Sequence, residues 1–283
     1  MNKYNRIPSE AKKFLQRGKL SDQKAILLNL GLSNLNYLLG NKAVFKIPYD
    51  SQFIFLNQGQ IDFQNQASQV FIAPRVLDYS LKKGYLITEY LKDYKPISAS
   101  DINLIQIKNI IKCLKTIHSF KIPSLDKLDY VKLLDFFRLK VSPRKRFYFA
   151  ALENSSLLEV NPEPSHFDLV SGNILTDSQS DIKIIDFEMS ISAPEYFDLT
   201  SLLFENDFSE EIRKTIVDIY FASDTEKKAE YLSHQDELAA IADLLWYHWA
   251  LARSISCSED KKESYIKISE SKKEDLLKRI RKS

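Results

Sequence analysis

Glycine is scarce, with six in 283 residues and no GxGxxG stretch among them, which excludes a glycine-rich nucleotide loop of that kind. Cysteine is scarcer still. Cys113 and Cys257 each sit in an apolar helical pattern without paired spacing, so neither a disulfide framework nor a zinc site is expected, and a reducing cytoplasm is the natural setting. Long apolar runs are missing too: AILLNLGL is far too short to span a bilayer, and the opening MNKYNRIPSEAKKFLQRGKL has neither an apolar core nor a small-residue cleavage site. Export and membrane insertion are therefore not expected. Nor does one sign of charge dominate. The formal net charge is +2, and because Lys261 to Ser283 hold nine Lys or Arg against four acids, the remainder is slightly acidic. A second basic cluster (Arg138, Lys140, Arg144, Lys145, Arg146) has no interleaved aromatics and no nucleic-acid motif, so both clusters read as solvated helix faces and no nucleic-acid partner is expected.

The chain is long enough for two lobes, or one large domain, with a proper core. Pro8, Ser9 and Glu10 open a short amphipathic helix to about Gln16, with Ser9 as cap and Gly18 as stop. The period then changes to two. Ala25 to Leu30, Asn36 to Leu39 and Ala43 to Ile47 read as strands, the last two joined by the turn pair Gly40-Asn41. A helix is expected over Ile61 to Ile72, ended by Pro74, then a hairpin of Arg75 to Tyr79 and Tyr85 to Glu89 around Lys82-Lys83-Gly84. Pro96 breaks the chain. From Ser98 the pattern is helical, with Ile102, Ile105, Ile110, Ile111, Leu114 and Ile117 as one apolar stripe down to His118. Helices are expected at Leu125 to Leu139 and Arg144 to Leu152, then a strand-loop-strand insert, then helix beyond Pro194. This order predicts an α+β, bilobal, protein-kinase-like fold. A small antiparallel-sheet lobe spans 1–90, a larger mainly helical lobe spans 91–283, and Tyr90 to Pro96 is the hinge.

Histidine is also rare, four in all, and one of them opens SHFDLVSGNILTD, Ser165 to Asp177. His166-x-Asp168 followed by Asn173 reproduces the spacing of a kinase catalytic loop, in which Asp is the base and Asn reaches a magnesium ion. Ile184-Ile185-Asp186-Phe187-Glu188 then supplies a strand-borne Asp as second metal ligand, with Glu188 where protein kinases carry Gly. Phosphoryl transfer asks for little more: a carboxylate to orient the hydroxyl, metal ligands, and a cation on the remaining phosphates.

HFDLVSGNIL, IIDFE and YFDLTSLLFEN together resemble the choline/ethanolamine kinase family, within the wider aminoglycoside-phosphotransferase-like kinases. The resemblance implies ATP and Mg²⁺ as cofactors, the metal held by Asn173 and Asp186 with Glu188 nearby. It implies that Asp198 braces the catalytic loop and that Glu205 faces the positive nitrogen of the acceptor. Gly31-Leu32-Ser33-Asn34-Leu35-Asn36-Tyr37 resembles the family's short phosphate loop, placing Ser33 and Asn34 on the nucleotide. Lys46 stands where the family carries its phosphate-binding base, and Glu89 and Leu91 border the nucleotide at the hinge. One departure is plain. No Glu occurs between Glu10 and Glu89, so Gln66 takes the place of the helix Glu that steadies the lysine in kinases.

For the acceptor, Trp246 and Trp249 are three apart in AAIADLLWYHWALARS and share a helix face. The resemblance makes them, with Tyr265, an aromatic box for a trimethylammonium group, whose attraction to each ring is worth about 0.5 to 2 kcal/mol. Choline is the expected small-molecule substrate; ethanolamine, thiamine and aminoglycosides stay open. The chemistry-bearing set also stays open to a second class, a catalytically inactive kinase fold that binds a nucleotide or cationic ligand, to which Gln66 points. His118, His234 and His248 read as structural.

Overall fold

The computed structural model describes residues 8–18, 25–28, 31–53 and 55–281. Helix α1 (Ser9–Arg17) leads into strands β1 (Ala25–Leu28), β2 (Asn34–Leu39) and β3 (Ala43–Pro48). The Asn29 and Leu30 end of the first expected strand lies outside the described residues. Gly40 and Asn41 both take left-handed φ values, 56° and 53°, the backbone a two-residue hairpin turn demands. Helix α2 (Gln58–Gln69) begins before the expected Ile61, because Asn57 and Gln60 form a reciprocal capping box. Strands β4 (Val76–Ser80) and β5 (Tyr85–Glu89) complete an antiparallel sheet in the order β1-β2-β3-β5-β4. Alternation along β3 turns Ala43 and Phe45 toward a core with Tyr37, Tyr85 and Ile87 under α1, and leaves Lys46 on the opposite face beside Asn36.

In the second lobe, β6 (Lys95–Pro96) does more than break the chain, since it joins a small sheet described below. Helix α3 (Leu104–His118) is capped by Asn103 and Gln106, and buries Ile107, Ile110, Ile111, Leu114 and Ile117. Ile105, expected on that stripe, is 62% exposed, because it stands two residues, about 200° of helix rotation, from Ile107. The expected helices after it are shorter: α4 (Tyr130–Arg138) and α5 (Ala150–Glu153). Strands β7 (Glu163–Ser165), β8 (Ile174–Thr176), β9 (Ile182–Ile184) and β10 (Ile191–Ala193) follow, then α6 (Phe197–Phe204), α7 (Glu210–Phe221), α8 (Thr225–Ser256) and α9 (Glu259–Ile280). β8 pairs with β6 and β9, and β7 with β10, all antiparallel. The loop after β7 and the loop after β9 are thereby brought side by side. Gly59 fixes how α2 meets this lobe, because an added Cβ would stand 2.3 Å from the Ser124 carbonyl oxygen.

Candidate active site

The loop between β7 and β8 is shaped from beneath by Asp198 on the first turn of α6. One of its carboxylate oxygens accepts from the Ser165 hydroxyl and the Phe167 N–H, and the other from the His166 N–H, all at 2.7 Å. These bonds hold Phe167 at φ 71°, a backbone that costs a bulky residue of order 1–3 kcal/mol and persists only where neighbours impose it. The Phe167 ring is locked as well, stacked on Phe197 at 4.5 Å and near Trp246 at 5.9 Å. Burial would push the Asp198 carboxyl up, but His118 and Ser165 hold it below its usual range.

His118, at the last residue of α3, places Nε2 3.0 Å from Asp198 and Nδ1 3.0 Å from Glu163. Burial works against its charge, yet the two carboxylates outweigh burial and raise its pKa to about 9. The histidine read as a helix end is thus the support of the residue that supports the loop.

His166, expected among the catalytic groups, is fully buried. Its Nε2 donates to the Ile185 carbonyl at 2.9 Å and its Nδ1 accepts the Asp168 N–H at 3.4 Å, while burial keeps the ring neutral. Both nitrogens are spent inside the loop, so its role is to bind the loop to the strand that carries Asp186. Asp168 itself is half-buried. Asn173 Nδ2 donates to the Asp168 carboxylate at 3.0 Å and to its carbonyl at 2.9 Å. Burial, then Asp186, Glu205 and Glu188, push the Asp168 carboxyl up to about 7.

Asp186 follows β9 in a left-handed backbone, φ 72°, and the Ile185 N–H bonds the Asn173 carbonyl at 2.9 Å, so the two loops share a register. Lys46 reaches across from β3 to ion-pair with Asp186, and lies 3.3 Å from Glu188. Burial favours a neutral amine there, but the two carboxylates win and the lysine pKa is raised. Asn34 Nδ2 donates to Glu188 at 2.7 Å, tying the start of β2 to the same cluster. Gln66 does not hold Lys46: among the described residues no hydrogen bond joins them. From α2 it is Gln60, nearly two turns earlier and on another face, that reaches the cluster, donating to the Glu188 carbonyl at 2.6 Å.

The turn Gly31–Ser33 is clasped from the other lobe. Lys261 Nζ donates to the Gly31 and Leu32 carbonyls at 2.9 and 3.3 Å, Arg253 Nη2 to the Ser33 carbonyl at 3.2 Å, and the Tyr265 hydroxyl lies 3.5 Å from Ser33 Oγ. At the hinge, Glu89 spends its carboxylate on Arg75, and Leu91 is half-buried.

Behind Asp168 the rings of Phe167, Trp246, Trp249 and Tyr265 form a row, with centroid separations of 5.9, 5.6 and 5.5 Å. They do not make an open three-sided box. Trp246 and Tyr265 are buried and only Trp249 is half-buried, while the Arg253 guanidinium lies 5.6 Å over the Tyr265 ring and its Nε donates to the Tyr265 hydroxyl at 3.3 Å. Tyr265 therefore faces a cation of the chain itself. Glu205 ends α6 next to Asn206, whose amide donates to the Leu169 carbonyl at 2.9 Å and so fixes this corner beside Asp168. Its carboxylate is also taken: Lys272 Nζ of α9 lies 2.5 Å from Glu205 and 3.2 Å from Asp243, and Arg279 Nε donates to Asp243 at 3.0 Å. Arg253, Lys261 and Lys272 were not found by spacing. Arg253 alone carried a signal, as a charge inside the apolar run ALARS one turn from Trp249.

Among the described residues no three His, Cys, Asp or Glu side chains are grouped to hold a metal by themselves. Asp186, Glu188 and Asn173 instead offer two carboxylates and an amide, the hard oxygen donors that suit Mg²⁺ when phosphates supply the remaining ligands.

Solved structures resemble this chain along nearly its whole length. Choline kinase LicA from Streptococcus pneumoniae matches with a TM-score of 0.70 at 16% identity, covering 95% of this chain and 100% of that one. A choline/ethanolamine kinase family protein from Mesorhizobium loti matches at 0.68 and 18%, covering 97% and 98%. The gentamicin complex of APH(2")-IIa matches at 0.66 and 15%, covering 96% of both chains. At such identities these show the shared fold. No curated protein sequence matches. The family model described as the phosphotransferase enzyme family matches residues 24–241, well over half the chain, and with the loop geometry above it shows that this chain belongs to that family.

Proposed function

We propose that the chain is an ATP-dependent kinase of a small alcohol. The observation that carries this reading is the meeting of Asp168 and Asn173 on one loop with Asp186 and Glu188 on the loop beside it and with Lys46 from β3. Asp168 aligns the acceptor hydroxyl and takes its proton as the γ-phosphoryl group leaves ATP. Ser33 and Asn34 meet the phosphates, and Lys46 offers them its ammonium. Mg²⁺, with Asn173, Asp186 and Glu188 as its protein ligands, would neutralise charge on the phosphate oxygens. The inactive-kinase reading rested on a helix without Glu. It loses weight with Lys46 seated on Asp186 and Glu188.

Choline is the acceptor that the resemblance suggests, and the half-buried Trp249 is the feature in its favour. No helix among the described residues is long and apolar enough to cross a membrane, and a reaction that consumes ATP suits the cytoplasm. ADP release with choline, ethanolamine, thiamine and kanamycin tests the reading. At least one alcohol should stimulate it, and Asp168→Asn should lower turnover by about 10²- to 10⁴-fold while raising thermal stability, since a buried charge is removed. Alcohol-independent ADP release that survives Asp168→Asn would sink the kinase assignment.

A further inference from the structure

Glu205 is close enough to Asp168 for its charge to raise that carboxyl, and on the kinase reading it would face the acceptor, where a carboxylate would draw in a positively charged alcohol. In this chain the position is filled. Lys272 reaches in from α9 to 2.5 Å from Glu205 and bridges on to Asp243 at 3.2 Å, with the Lys272 and Glu205 side chains each 12% exposed. Arg279 closes the other oxygen of Asp243, and its guanidinium lies 4.3 Å over the Phe204 ring at the end of α6. Two cations from a single helix thus meet three carboxylates, Glu205, Asp243 and the more exposed Asp236, which lies 2.9 Å from Arg279 Nη1. An acceptor ammonium arriving here would find Glu205 neutralised, and displacing Lys272 would strand a buried cation. The positive charges facing Glu205 are therefore the protein's own.

We infer that Lys272 is a specificity-determining residue, acting through Glu205, that makes the pocket indifferent to positive charge on the acceptor and so suits it to small alcohols without a cation. This rests on the kinase reading above but not on choline as the acceptor. Choline and its uncharged isostere 3,3-dimethylbutan-1-ol separate charge from shape. The wild-type protein should use the two with similar kcat/KM, and Lys272→Arg should behave like it. Lys272→Met should raise the choline-to-isostere ratio about tenfold or more, followed from pH 7 to 9.5 because burial raises the Glu205 carboxyl and Lys272 is what lowers it. An unchanged ratio in a folded Lys272→Met protein overturns the proposal.

Glu205→Gln gives the complementary test that does not depend on Lys272→Met folding. It should leave the wild-type ratio as it is, whereas a tenfold fall in choline preference would show that Glu205 seats the acceptor cation after all. Choline binding by calorimetry, with a non-hydrolysable ATP analogue present, reads the same effect without turnover. Should no alcohol release ADP from any variant, the kinase reading fails, and a tighter choline affinity in Lys272→Met than in wild type still decides the role of Lys272.

Discussion

Two lysines in this cleft each sit on two carboxylates, and they differ in what else can reach them. Lys46 pairs with Asp186 and Glu188, whose side chains are 27% and 23% exposed. Lys272 pairs with Glu205 and Asp243, at 12% and 3%, and Arg279 adds a second cation. On the proposed reading the first cluster exchanges partners with phosphates and a metal. The second is closed, and its strength goes into holding α9 against the catalytic lobe. Both clusters already hold a lysine, so what separates them is how far solvent, and with it a ligand, can reach.

Lys46→Met should break this contrast most visibly. It should lower kcat/KM for ATP about 10²- to 10³-fold and leave the choline-to-isostere ratio untouched, whereas Lys272→Met should do the reverse. Steady-state kinetics of both variants with both alcohols check it, and parallel losses would erase the distinction. A smaller effect concerns the support under the loop. His118 titrates near 9 in the folded chain against an ordinary 6.5, so its contribution is complete below pH 6.5 and is lost as pH rises toward 9. Denaturant unfolding at pH 6, 7.5 and 9 should show stability falling by about 3 kcal/mol, less in salt, and His118→Asn should flatten that slope. An equally steep slope in the variant would remove His118 as its source. Least of all, Tyr265→Phe should raise KM for ATP about two- to threefold, because it deletes one long hydroxyl contact to Ser33 and one to Arg253. A loss of choline binding instead would restore Tyr265 to the acceptor pocket.

What the sequence made legible was local. Asp168, Asn173 and Asp186 lie within twenty residues on a strand-loop-strand, so spacing alone suggested them, whereas Lys46 in AVFKIP was suggested by the resemblance. The capping boxes at Asn57 and Asn103 are equally local, and they moved helix starts that apolar periodicity had put elsewhere. What stayed hidden was which charge meets which. Lys272 stands in ISESKKEDLL among lysines and glutamates that face solvent, and nothing in that pattern marks the one whose ammonium is buried on Glu205. Gln66 was misjudged for a related reason. A kinase-like order suggested a helix partner for Lys46, whereas α2 turns Gln60 to the cluster and the lysine finds both its carboxylates beyond β9.

The clasp on Gly31–Ser33 has a bearing on how the molecule is made. Its bonds join residues 220 to 232 positions apart, from Arg253 at the near end to Tyr265 at the far one. Contacts of such long range form late, after the loops they close have lost their freedom. During synthesis the first sheet can be paired while this turn still lacks Arg253, Lys261 and Tyr265, so on the proposed reading of the turn as a phosphate contact the growing chain should bind nucleotide poorly until α9 has emerged and docked. Nucleotide affinity would then report on completion of the fold.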